Sequence, residues 1–183
     1  MAEHTEELIQ PRLVTGRLDA LDFQARTLRL KLADERVLSG TYSDDFEPIL
    51  LGHPREWIQV RGEAALSEDG TLLNLDNITE IIEVDESPIM VTAFRIGQRR
   101  YLAIRPLEFC VTFNPMEGIY TVVGDFHMMV SAETRVELQD AVDDALAFLW
   151  REYVVSDPQT LSGDARSLHE QLKSTFTGDQ SAA

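Results

Sequence analysis

The N-terminal half of the chain is written in steps of two. Gly16-Arg17-Leu18-Asp19-Ala20-Leu21-Asp22 alternates apolar with polar positions, and Thr27-Leu28-Arg29-Leu30-Lys31-Leu32 does so more cleanly. Alternation of this kind puts every second side chain on one face, which predicts two half-buried strands. A polar turn at Ala33-Asp34-Glu35-Arg36 leads to a third strand over residues 37–42. Within it Gly40 signals a bulge or a close backbone approach. Residues 43–52 open on Ser43-Asp44-Asp45 and close on Gly52, the punctuation of a short helix. Residues 57–64 and 72–81 supply a fourth and a fifth strand, the latter after an Asp69-Gly70 turn. Three strands, a short helix and two more strands is the order of a small closed barrel, of the OB type or an SH3-like relative.

Asp85-Glu86-Ser87-Pro88 carries linker chemistry and separates two expected domains. Residues 12–84 read as the five-stranded barrel, and residues 89–176 as an antiparallel sheet packed by two helices, so the fold class is α+β. The second domain begins with strands over 89–96 and 99–104 around a Gly97-Gln98 turn. Strands follow over 107–113, 119–123 and 126–130, with turns at residues 114–118 and at Gly124-Asp125. A long helix is expected over 134–155, opened by Thr134 with Glu137 three residues on, a capping box.

On that helix Leu138, Ala141, Val142, Ala145, Leu146, Leu149 and Tyr153 share a face, with Phe148 and Trp150 at its margins. The apolar arc spans roughly 200°, more than one sheet face needs. A second amphipathic helix is the expected cover, in this chain or in a partner subunit. It would start at Asp157 as N-cap and Pro158 at the first helical position, and carry Leu161, Ala165, Leu168, Leu172 and Phe176. The tail from Thr177 to Ala183 is small and polar and is expected to fray.

Composition narrows the function. In 183 residues, 44% are hydrophobic and 26% charged, which argues against disorder. Apolar runs such as Ile49-Leu50-Leu51 are too short for a membrane span, and Met1 to Pro11 has neither the basic nor the apolar region of a secretory leader. The expected location is cytoplasmic. With 32 acidic against 16 basic residues the net charge is −16, the wrong sign for neutralising nucleic-acid phosphates. Between Arg12 and Val84 there are eight basic and 14 acidic residues, and Phe23, Tyr42, Phe46 and Trp57 do not share an alternating face. The barrel therefore reads as a scaffold or adaptor rather than an oligonucleotide groove.

The chemistry-bearing residues carry two readings each. Glu133, Glu137, Asp140 and Asp144 recur at spacings of three and four on the long helix. They form either a solvated face suited to a helix N-terminal half or a docking face for a basic partner. Arg95, Arg99, Arg100 and Arg105 fall in a stretch, Pro88 to Leu107, without a single acid. Arg99, Tyr101 and Arg105 would share a strand face that binds a phosphate or a carboxylate-rich surface; otherwise the hairpin pairs with the protein's own acids. Cys110, the single cysteine, fills space or pairs with His127 as thiol and imidazole, if the faces of their strands coincide. His4, His53, His127 and His169 lack metal-ligand spacing, and no glycine-rich phosphate loop or nucleophile elbow occurs. The reading is of no catalytic residues, no metal and no cofactor.

Residues 109–153, with Glu117-Gly118-Ile119-Tyr120-Thr121-Val122 at their second strand and a helix beginning Glu137-Leu138-Gln139-Asp140-Ala141, resemble the degraded ribonuclease-H-like module of HicB-type antitoxins. The resemblance implies a catalytically empty platform that binds a small ribonuclease toxin. Residues 125–131 stand where the family has a proline-glycine-rich stretch, and no basic DNA-binding motif follows. Four functions compete. The first is a non-catalytic, antitoxin-like or immunity-like binding protein holding a basic partner. The second is a homo-oligomeric structural or regulatory protein, and the third an enzyme using Cys110 and His127. The fourth is nucleic-acid binding through the arginine hairpin, which the overall charge disfavours.

Overall fold

A computed structural model describes residues 8–157, 159 and 161–178. The chain divides into two units, Met1–Val84 with Pro115–Gly118, and Asp85–Asn114 with Ile119–Ala183. It is an α+β protein whose first unit is a closed five-stranded barrel and whose second contains further antiparallel sheets and helices.

The barrel strands are β1 (Leu8–Asp22), β2 (Thr27–Lys31), β3 (Val37–Thr41), β4 (Trp57–Leu66) and β5 (Leu72–Glu83), and they close in the order β1-β2-β3-β5-β4. β1 is longer than the alternation of residues 16–22 indicates because it serves two neighbours. Leu8 to Arg17 pair with β4, and Arg17 to Asp22 with β2, with a bulge between Leu18 and Ala20 where the strand changes course. Closure comes from the parallel pairing of β3 with β5, where Gly40 lies opposite Leu75. A Cβ on Gly40 would sit 2.7 Å from the Leu75 carbonyl oxygen, so this glycine marks a close backbone approach. The inward positions, among them Leu18, Leu28, Leu30, Leu38, Val60 and Leu75, form one apolar core. The expected short helix is a 3-10 turn at Asp44–Phe46 followed by α1 (Glu47–Gly52), whose Leu50 joins that core.

The second unit holds two three-stranded sheets where one was expected. β6 (Ile89–Ile96), β7 (Arg99–Phe109) and β11 (Phe176–Gly178) form one, in the order β11-β7-β6. β8 (Val111–Asn114), β9 (Ile119–Val123) and β10 (Met129–Ala132) form the other, in the order β10-β9-β8. The strand expected over 107–113 is thus cut at Cys110, where the chain passes from one sheet to the next. The strand expected over 126–130 is displaced as well. Residues Asp125–His127 form a 3-10 turn with Phe126 and His127 at φ of 63° and 56°, which buries the Phe126 ring.

The long helix is α2 (Arg135–Leu149), and its capping box is present, with Glu137 N–H donating to Thr134 Oγ1 at 3.2 Å and Thr134 N–H to Glu137 Oε2 at 3.1 Å. It lies against β10, β9 and β6 and then widens into a π turn, Trp150–Val154. Trp150 there packs among Phe94, Tyr101 and Phe176, with ring centroids 5.9, 4.6 and 6.3 Å away. The His169 ring donates through Nδ1 to the Tyr153 carbonyl of this turn at 2.6 Å. The last helix, α3 (Gly163–Thr175), starts later than expected and is capped by Ser162, whose hydroxyl accepts from Ala165 N–H at 3.4 Å. The Asp157 carboxylate accepts instead from Gln159 N–H, a local turn, and Pro158 lies outside the described residues. Phe176 leaves the helix altogether and enters β11, together with Thr177 and Gly178 of the tail expected to fray. The rest of that tail lies outside the described residues.

Candidate functional site

The hairpin of β6 and β7 turns at Gly97, whose φ of 58° is the left-handed conformation a tight turn requires. The register sets Phe94 opposite Tyr101 and Arg95 opposite Arg100. Phe94 and Tyr101 stack at 5.2 Å and point to Trp150. The next pair along the pleat, Arg95 and Arg100, therefore points to the other face. Arg95, Arg99, Arg100 and Arg105 are all exposed, and among the described residues none has an acid within 4.0 Å.

The face expected to unite Arg99, Tyr101 and Arg105 does not form as an open surface. Tyr101 is taken up by the aromatic cluster. Residues 103–106 of β7 have no partner on β6, because Val91 lies opposite Leu107 and Ala93 opposite Leu102, and Ile104, Arg105 and Pro106 are all exposed there. What the register brings together is Arg95 and Arg100. They line a cleft of about 420 Å³ with Thr92, Ala93 and Phe94, and its other wall is Asp143 and Asp144 of α2.

The four acids singled out on the long helix part company. Glu137 is committed to the capping box, and Glu133 lies before the helix, while Asp140 and Asp144 are exposed along it. Asp143 is half-buried, and its pKa is raised above the ordinary 3.8, first by burial and then by the charges of Asp140 and Asp144, against a hydrogen bond from Gln139. Among the described residues no cation lies within 4.0 Å of Asp140, Asp143 or Asp144. Asp143 and Thr92 were missed by pattern reading. The adjacent Asp143-Asp144 pair was the visible signal for the first, and nothing marked Thr92.

Cys110 and His127 do not share a strand face. Cys110 is exposed in the break between β7 and β8, and His127 sits in a left-handed turn rather than on a strand. One histidine contacts carboxylates in the barrel, where His53 bridges Glu56 at 2.8 Å through Nδ1 and Glu83 at 2.7 Å through Nε2. Among the described residues no three His, Cys, Asp or Glu side chains gather as a metal site would require, and no helix is long and apolar enough to cross a membrane. Comparison with protein-family models and with curated proteins finds no match to this chain.

Proposed function

We propose that this is a non-catalytic cytoplasmic binding protein that holds a basic partner protein on the acidic face of α2, in the manner of an antitoxin or immunity protein. The observation that carries the reading is the uncompensated row Asp140, Asp143 and Asp144. Several cations elsewhere are paired with the chain's own acids, as in Arg26–Asp44 at 2.6 Å and Arg61–Glu80 at 2.9 Å. Here the chain leaves three carboxylates to repel one another, and a basic surface would relieve that repulsion. The order β8, β9, β10 and α2 within residues 109–153 supports the resemblance to the HicB-type platform. The strand order of the barrel, with α1 between β3 and β4, supports an OB-type scaffold.

Tagged protein held in lysate of its own cells at low salt is expected to retain one stoichiometric basic protein, released at high salt. Asp140→Lys with Asp144→Lys should abolish that retention. Retention of nothing but the chain itself would overturn the reading.

A homo-oligomeric regulator is the second reading, and one surface pair favours it. Met129 and Val123 lie directly opposite each other on β10 and β9 and are 71% and 66% exposed. Light scattering at high protein concentration should then give a multiple of the 20.7 kDa chain mass, and Met129→Glu should return it to that value.

A further inference from the structure

The cleft beside β6 combines an open strand edge with charges of both signs. In the order β11-β7-β6, β6 pairs with β7 alone, and among the described residues no loop or turn backbone bonds to the free side of Thr92 to Arg95. An unpaired edge of this kind is a template for another extended segment. Arg95 opposite Arg100 is a like-charge cross-strand pair, an arrangement that costs stability unless something anionic lies between the guanidinium groups. The chain holds twice as many acids as bases, yet among the described residues none lies within 4.0 Å of either arginine, Asp143 and Asp144 forming the opposite wall. The cleft volume, about 420 Å³, is in the range of ordinary ligand sites, about 300–1,000 Å³.

The pleat dictates what would fit. Consecutive side chains of an added strand point to opposite faces. One would reach the face of Arg95 and Arg100. Its neighbour would point to the side of the sheet on which Phe94 meets Trp150, the side of α2, where Asp143 and Asp144 stand. We propose that the free edge of β6 takes up an extended peptide segment with an acidic residue next to a basic one. The acid is held by Arg95 and Arg100, and the base by Asp143 and Asp144. The site shares Asp143 and Asp144 with the acidic face described above but does not depend on that reading, since a basic partner on α2 has no use for the two arginines.

The test is a titration of the full chain, labelled with 15N, with the blocked peptide acetyl-Val-Glu-Lys-Val-amide. Saturable amide shifts are expected at Thr92 to Arg95, Arg100, Asp143 and Asp144. Arg100→Gln and, separately, Asp143→Asn should each weaken binding about tenfold, the effect of losing one charge-assisted hydrogen bond. Both positions are at the surface or half-buried, and an unchanged spectrum outside the cleft certifies the fold. N-methylation of the peptide backbone should abolish binding, because strand addition needs its amides. No saturable shift, equal binding of the N-methylated peptide, or displacement by inorganic phosphate with the same shifts would each overturn the proposal. Loss of peptide binding in Arg100→Gln with capture of a basic partner intact would separate this site from the acidic face.

Discussion

The barrel and the second unit solve the same problem, covering a small sheet, in opposite ways. In the barrel every strand has a neighbour on each side, and five of its eight cations are matched to acids: Arg26 to Asp44, Arg29 to Asp19, Lys31 to Glu35, Arg36 to Asp34 and Arg61 to Glu80. In the second unit the sheets stay open, with edge strands β6 and β11 in one and β8 and β10 in the other. Arg135 approaches Asp85 at 3.8 Å and donates to the Ser87 carbonyl at 2.5 Å, which ties the start of α2 to the segment before β6. Among the described residues the four hairpin arginines have no such partner. A region whose strand edges are all paired and most of whose cations are matched offers a partner little, while one with open edges and unmatched charges of both signs facing one cleft has binding capacity left over. The contrast places the candidate sites in the second unit.

The largest effects should come from the two cores, each with its own reporter. Leu30 and Leu146 are fully buried, and replacing either by Ala should cost about 2–5 kcal/mol. Trp57 belongs to the first unit and Trp150 to the second, so single-tryptophan variants report each separately. Urea unfolding should show Leu30→Ala at Trp57 and Leu146→Ala at Trp150. Equal losses at both would dissolve the contrast into one cooperative structure.

Closure of the barrel is the next point of attack. Gly40→Ala should cost about 1–3 kcal/mol, because the added Cβ meets a carbonyl oxygen that cannot move without opening the β3–β5 pairing. Gly97→Ala should cost less, since a Cβ there meets no atom within 4 Å and only its φ of 58° resists. Equal midpoints for the two variants would count against closure as the strained step.

A smaller effect depends on pH. The pKa of His53 is raised above 6.5, mainly by its hydrogen bond to Glu56 and then by Glu83, against some desolvation. The stabilisation is complete below pH 6.5 and is lost as pH rises through the raised value. His53→Gln should therefore destabilise by about 0.5–1 kcal/mol at pH 6 and by much less at pH 9. A cost that does not change with pH would remove the charged bridge.

The smallest effect inverts between the units. Arg61→Gln breaks a matched pair and should cost a few tenths of a kcal/mol, about the worth of a surface ion pair. Arg100→Gln removes a like-charge opposition and should stabilise by a similar amount, more so at low salt. Midpoints that fall for both variants would mean the hairpin arginines are matched after all.

How far pattern carries can be seen residue by residue. Leu28, Leu30 and Leu38 alternate in sequence and all enter the barrel core, because a strand half-buried on one face must write that alternation. Thr134 and Glu137 announce the start of α2 because their capping contacts are made within four residues. Phe126 defeats the same reasoning. Its surroundings look like a strand, but burying its ring near Phe176, 6.1 Å away between centroids, takes a left-handed backbone. Asp157 and Pro158 resemble a helix start more than Ser162 and Gly163 do, yet the helix waits for Ser162. At the candidate site, the arginine-rich, acid-free stretch was legible as a peculiarity of charge. That Arg95 faces Arg100, while Tyr101 turns inward, follows from a hairpin register that composition does not specify.

Local pattern and composition were enough for the strand-rich first half, the helix opened by Thr134, the acidic balance and the missing nucleophile and phosphate motifs. These depend on local periodicity and residue chemistry, which act over a few positions. Tertiary structure alone decided that β3 meets β5 to close the barrel, that the chain changes sheets at Cys110, and that Arg95, Arg100, Asp143 and Asp144 line one cleft. Those are contacts between residues tens of positions apart, fixed by register and by competition for buried space, and neither is written in any short stretch of chain.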